Sequence, residues 1–229
     1  NLIPQRSTPL NCTTLLHTGI NIMSSITLHR HALSGHSHRV EVFLSILGLE
    51  ASIVDVDLAS GAHKEAAFLS KNSFGQVPVL DDGDVTLSDS NAILIYLASK
   101  YDNNNTWLPS NIVDAAKVQR FLSVAAGKIA YGPALARLVN VFGANLDKAT
   151  AITTAHGILS ELDSHLEGRD WLVTANPTIA DVANYAYIAH APEGDVSLES
   201  YPNIRAWISR FERLTGFVPM QSSATGLDA

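Results

Sequence analysis

The apolar positions of the first hundred residues change period several times, and each change marks an element. Ile26 and Leu28 alternate with polar neighbours through His31, which predicts a strand, and Ala32-Leu33-Ser34-Gly35-His36-Ser37 has the composition of a loop. Val40, Phe43, Leu44 and Leu47 fall at i, i+3, i+4 and i+7, predicting an amphipathic helix that stops at Gly48. Val54, Val56 and Leu58, interleaved with Asp55 and Asp57, predict a second strand, and a short helix follows through Phe68 and Leu69. Val77 to Leu80 and Val85 to Leu87 are brief apolar runs on either side of Asp81-Asp82-Gly83-Asp84, a hairpin pattern. Ile93, Leu94, Leu97 and Tyr101 then recur at helical spacing behind Asp89-Ser90. The predicted order is β-α-β-α-β-β-α, an α/β unit over residues 24–101.

The period does not change again. Residues 102–112, with Asn103-Asn104-Asn105 and Pro109, read as a linker. Beyond it Val118, Phe121, Leu122, Ala125 and Ile129 form one helical stripe, interrupted near Gly132-Pro133 and resumed by Leu135, Leu138, Val139 and Phe142. Ile152, Leu159, Leu162 and Leu166 mark another helix, and Ile204, Trp207, Ile208 and Phe211 the last. Thr178-Ile179-Ala180-Asp181 reads as a capping box with Asp where Glu or Gln is usual. An all-α unit is therefore predicted over residues 113–220, with a tail at 221–229. Residues 1–22 hold no acid, a single Arg and little periodicity, matching neither a secretory signal nor an Arg-rich transit peptide. They are read, through Met23 as the natural start, as a disordered extension over residues 1–23 that the fold should tolerate losing.

Composition narrows the classes. The chain has 229 residues, 46% of them apolar and 16% charged, enough for a substantial core. A formal charge of −7 without a basic cluster argues against nucleic acid and anionic membrane as partners. No apolar run approaches the ~18 residues needed to span a bilayer. Cys12 is the single cysteine, so an intramolecular disulfide is ruled out and a reducing, cytoplasmic location is expected. His29, His31, His36 and His38 lack carboxylates at ligand spacing, so no metal is expected.

Two stretches carry candidate chemistry. Ser90 reads as an N-cap, and the free N–H groups behind it, at the positive end of the helix dipole, make a seat for a carboxylate. Pro78 sits in a strand-like run, which fits either an edge strand or a cis Val77-Pro78 bond that turns the Val77 backbone toward a ligand. The loop Ser34-Gly35-His36-Ser37-His38-Arg39 offers hydroxyls at another helix start. Ser37 reads as that helix's N-cap, and His36 and His38 as surface residues.

Gln76-Val77-Pro78, followed after a hairpin by Asp89-Ser90-Asn91-Ala92-Ile93-Leu94, resembles the glutathione-binding half of the glutathione S-transferases. Leu-Ser-x-x-Ser-x-x-Val from Leu33 is similar to the loop of the serine-type members, and Pro-Thr-Ile-Ala-Asp-Val from Pro177 resembles the buried helix of their second domain. The resemblance runs from about Ile26 to Met220. It implies a thioredoxin-like N-terminal domain followed by an all-α C-terminal domain, arranged as a homodimer. It also implies an enzyme that adds the glutathione thiolate to hydrophobic electrophiles in detoxification, with glutathione as co-substrate.

The same resemblance puts Ser34 at the thiol-activating position and Ser37 at the position of the cysteine in cysteine-type members, which argues against thiol exchange. Asp89 would pair with the γ-glutamyl ammonium and Ser90 hold the adjacent carboxylate. Gln76, Val77 and cis-Pro78 would bind the cysteinyl portion, and His63 would lie near the glycyl carboxylate, while Lys64 reads as a solvated charge. Two departures stand out: Asn72-Ser73 replaces the usual Asn-Pro, and Gln76 occupies a position that is often Lys. Ile129, Tyr131, Arg137 and Phe142 are candidates for the electrophile pocket, though core packing or a dimer contact accounts for them equally well. Glutathione-dependent peroxidase, isomerase or dehalogenase activity would use the same thiolate, and a non-catalytic binding or scaffolding module would use the same fold.

Overall fold

The computed structural model describes residues 26–228, so the extension read over residues 1–23 lies outside the described residues. Strand β1 (Ile26–Arg30) pairs in parallel with β2 (Ala51–Asp55) and antiparallel with β3 (Val79–Asp82), which continues into the hairpin strand β4 (Val85–Ser88). The sheet order is β2-β1-β3-β4. Helices α1 (Gly35–Ile46), α2 (Ala66–Leu69) and α3 (Ser90–Tyr101) connect or follow these strands. This is the thioredoxin-like arrangement. The described residues after β4 are helical or irregular: α4 (Ile112–Val124), α5 (Leu135–Phe142), α6 (Lys148–His165), α7 (Ile179–Ala189) and α8 (Pro202–Phe211).

Several boundaries differ from the sequence pattern for physical reasons. β2 begins and ends earlier than the Val54-Val56-Leu58 alternation suggests, because pairing with β1 fixes its register, Leu28 facing Ile53. It ends where the Asp57 carboxylate accepts from the Ala59 and Ser60 N–H groups and turns the chain. β3 starts at Val79, so Val77 and Pro78 precede the ladder rather than belonging to it, and their peptide bond is cis. The stripe expected to break at Gly132-Pro133 is instead continuous: a π-helical segment, Ala125–Ala134, joins α4 to α5. The wider π turn accommodates Pro133, which has no N–H to give and would collide with the carbonyl of the preceding turn in a regular helix. A Cβ on Gly132 would lie 2.9 Å from the Ala155 backbone nitrogen, so only glycine lets α6 pack this closely.

One continuous core joins the sheet half to the helical half. Leu28 and Leu80 from the sheet pack with Val40, Phe43, Ile93 and Leu97, and these with Val182 and Ala186 of α7. Helix α7 is buried along nearly its whole length, and its alanines at 180, 183 and 186 permit the close approach of its neighbours. The Thr178 capping box is formed. Its Asp181, wholly buried, also accepts from Leu172 N (3.0 Å) and Trp207 Nε1 (2.9 Å), joining three segments. On the sheet side Asp82 Oδ2 accepts from Tyr96 (2.9 Å), Lys100 (2.7 Å) and Tyr101 (2.6 Å), which fixes α3, and with it Asp89 and Ser90, against β3.

Candidate active site

A cleft of about 820 Å³ lies between the two halves. Ser34, His63, Gln76, Val77, Pro78, Asp89 and Ser90, which sequence reasoning singled out, all line it. The facing wall is Ala134, Arg137, Leu138 and Phe142, at i, i+3, i+4 and i+8 along the end of the π segment and α5, together with Tyr187 of α7. Of the proposed electrophile-pocket residues, Arg137 and Phe142 are therefore on the cleft. Ile129 is buried in the core, and Tyr131 is 68% exposed and outside the cleft.

Both helix caps lie upstream of where the sequence suggests, by three residues at α1 and by one at α3. Ser34, not Ser37, is the N-cap of α1: its Oγ accepts from Ser37 N at 3.3 Å. Ser37 is buried, and its hydroxyl accepts from His31 N at 3.2 Å across the loop. Likewise Asp89, not Ser90, caps α3, accepting from Ala92 N at 2.9 Å with a backbone φ of 72° that non-glycine residues seldom adopt. Ser90 becomes the first helical residue, buried, with its Oγ accepting from Arg39 Nη1 at 3.1 Å. Both hydroxyls at the cleft thus retain their own hydrogens for a ligand, since a hydroxyl donates once while accepting.

The histidines of the loop are not surface residues. His38 is buried and its Nε2 donates to the Val218 carbonyl (2.8 Å); burial outweighs that bond and lowers the ring pKa to about 4. His36 lines the cleft, its ring 5.0 Å from that of Tyr187, and burial first, then the Arg39 charge, lowers it to about 3. Lys64 is exposed, as read, and its Nζ also donates to the Gly75 carbonyl (3.2 Å) and reaches that of Phe74. Asn72, buried, donates to the Gln76 carbonyl (2.7 Å) and accepts from Phe74 N, shaping the approach to Val77 without the missing proline.

Behind the loop lies a buried ion pair. Arg137 Nε donates to Glu193 (2.6 Å), and its Nη1 donates to the carbonyl of Leu33 (2.7 Å), the residue before Ser34. Glu193 also accepts from His190 Nδ1 (2.7 Å) and from the Ser223 hydroxyl (2.8 Å) and N–H. Burial pushes its carboxyl up, but the His190 and Ser223 hydrogen bonds and the Arg137 charge outweigh this and hold it below the usual glutamate range. The segment after Met220 is thereby tied, through Glu193 and Arg137, to the backbone beside Ser34. Gly35 allows the remaining approach, since a Cβ there would fall 2.8 Å from the Tyr187 ring. Tyr187 and Leu138 carry no pattern in the sequence that separates them from core residues, and only their packing brings them to the cleft, with Arg39 buried behind His36 and Ser90.

Among the described residues no cluster of three or more His, Cys, Asp or Glu forms a metal-ligand set, and no helix is long and apolar enough to cross a membrane. A family model described as the glutathione S-transferase N-terminal domain matches residues 24–99, and one described as the C-terminal domain matches residues 129–214. Glutathione S-transferase 3 of Zea mays is 34% identical over 198 residues, covering 81% of this chain and 88% of that protein. Glutathione S-transferase theta-2 of Homo sapiens is 32% identical over 195 residues, covering 80% and 79%. The crystal structure of a glutathione S-transferase from Pseudomonas fluorescens superposes with a TM-score of 0.81 at 29% identity, covering 87% of this chain and 100% of that one. A glutathione transferase homolog of a Drosophila species, solved with bound glutathione, gives 0.77 at 26%, covering 83% and 89%.

Proposed function

The chain belongs to the glutathione S-transferase family and is a glutathione transferase, and from that premise we propose that Ser34 activates the glutathione thiol for attack on hydrophobic electrophiles. The observation that carries this reading is the convergence of Ser34, Pro78, Asp89 and Ser90 on one cleft whose opposite wall is the Ala134, Leu138 and Phe142 face. A free thiol near pKa 8.5 is mostly protonated at neutral pH, and lowering it by two units takes ~2.7 kcal/mol of preferential stabilisation of the thiolate. A hydroxyl donor and the N-terminus of α1 behind it supply an energy of this order.

In this reading residues 24–101 hold the tripeptide and residues 113–220 shape the electrophile site. Asp89 pairs with the γ-glutamyl ammonium, Ser90 receives the neighbouring carboxylate, and Gln76 and the Val77 backbone hold the cysteinyl unit. His63 meets the glycyl carboxylate, and its buried Nδ1, without a hydrogen-bond partner among the described residues, is consistent with a ring awaiting a ligand. The similar proteins named above carry the transferase name, and the peroxidase, isomerase, dehalogenase and scaffold readings gain nothing from them.

The chain should be retained on immobilised glutathione and conjugate it to a chloronitroaromatic electrophile. Neither retention nor conjugation at millimolar glutathione would sink the assignment. Phe74 (78% exposed), Ile112 (83%) and Val113 (57%) are large apolar side chains left on the surface, which supports a two-fold homodimer. Sedimentation should show it at micromolar concentration, and a monomer alone would count against it. A cytoplasmic, detoxifying role is the setting that fits this chemistry.

A further inference from the structure

Arg39 is 1% exposed, yet none of its nitrogens lies within ion-pair distance of a carboxylate among the described residues, and its Nε and Nη2 have no hydrogen-bond partner. Its compensation within the protein is indirect: Tyr187, whose ring centroid is 5.5 Å away, and the exposed carboxylate of Asp89 act on it through space. A buried cation left this way lowers its cost by facing an anion. The one nitrogen that does bond, Nη1, has two hydrogens, one aimed at His36 Nδ1 (2.9 Å) and the other at Ser90 Oγ (3.1 Å).

A guanidinium can only donate, so His36 Nδ1 must carry its lone pair there, which places the ring proton on Nε2 and makes the imidazole neutral. Nε2–H has no partner among the described residues, and the ring lines the cleft. The Ser90 hydroxyl, 3.3 Å from an Nδ1 already occupied by Arg39, keeps its hydrogen for a ligand. Two donors therefore look into the cleft at the start of α3, each polarised by the same buried positive charge.

We propose that Arg39, His36 and Ser90 form one carboxylate-binding unit, in which His36 Nε2–H is a further contact to the γ-glutamyl α-carboxylate of glutathione and Arg39 is its buried countercharge. His36 is the binding residue and Arg39 a positioning residue that acts through it and through Ser90. The inference rests on the glutathione reading of the cleft.

The test compares glutathione with 4-aminobutyryl-cysteinylglycine, which lacks only that carboxylate, on the unaltered protein and on His36→Leu and Arg39→Met. His36→Leu should weaken glutathione about tenfold, the effect of losing one hydrogen bond to a charged acceptor, and the loss should appear in KM rather than kcat. The analogue should bind the variant and the unaltered protein alike, and the pKa of the bound thiol should not move. Arg39→Met should show the same selectivity for the carboxylate; if it does not fold, His36→Leu decides alone. Equal losses for glutathione and the analogue, or a raised thiol pKa in His36→Leu, would overturn the proposal by placing His36 elsewhere on the ligand. An unaltered protein that binds neither compound would instead overturn the glutathione reading itself, and this inference with it.

Discussion

Ser34→Ala is expected to lower turnover by roughly 10- to 1,000-fold, the range that follows from removing a preorganised donor to a developing anion. On the proposed role of Ser34, the bound thiol should lose the hydrogen bond that favours its charged form, so its pKa should rise toward the free value of ~8.5 and the pH profile of kcat/KM should move to higher pH with it. The structure adds a second consequence. Because Ser34 is itself the N-cap of α1, the alanine variant also loses about 1 kcal/mol of stability, while glycine at a cap costs only a few tenths. Ser34→Gly therefore separates the two roles: it should be as slow as Ser34→Ala but melt close to the unaltered protein. Ser37→Ala removes a buried acceptor of the His31 N–H instead, and should destabilise the loop without moving the thiol titration. Steady-state rates from pH 5.5 to 9 with thermal melts of all three variants test this, and an unmoved profile in Ser34→Ala would transfer thiol activation to another group.

The sequence was most legible where a period is pure and both ends are punctuated. Helix α1 ends beside Gly48 and α6 is followed by Gly168, each with positive φ, and the Thr178 box starts α7 as its spacing implies. Strand limits were less legible because pairing sets them: β2 stops at Asp55 although Val56 and Leu58 continue the alternation. The caps were misplaced by a choice the sequence leaves open, since several residues at each helix start can cap and the chain's turn decides which one does. The loop histidines read as surface because they are polar and follow a turn. Contacts from α7 and from the Val218 segment, more than 140 residues away in the chain, bury them. Of the seven singled-out residues that line the cleft, five sit in two short motifs, Gln76-Val77-Pro78 and Asp89-Ser90, and Ser34 in a third, whereas the opposite wall is an ordinary amphipathic stripe.

Arg137→Met should cost about 3–5 kcal/mol, because it leaves the Glu193 carboxylate buried without its cation. The two side chains are 2% and 1% exposed, so water cannot take over. Most of that cost comes from the stranded charge rather than from the lost attraction, and pairing the change with Glu193→Gln should recover much of it. A neutral amide of nearly the same shape can still bond to Ser223 and His190. Activity should not recover in step. Nη1 of Arg137 also holds the Leu33 carbonyl, and nothing in the double variant replaces that donor next to Ser34. The expected pattern is thus a single variant both unstable and slow, and a double variant nearly as stable as the unaltered protein but still slow. Denaturant midpoints and kcat measured side by side distinguish the effects. If the double variant regained full activity, Arg137 would serve only to neutralise Glu193, and the hold on the Ser34 loop would have to come from Gly35 and Tyr187 alone.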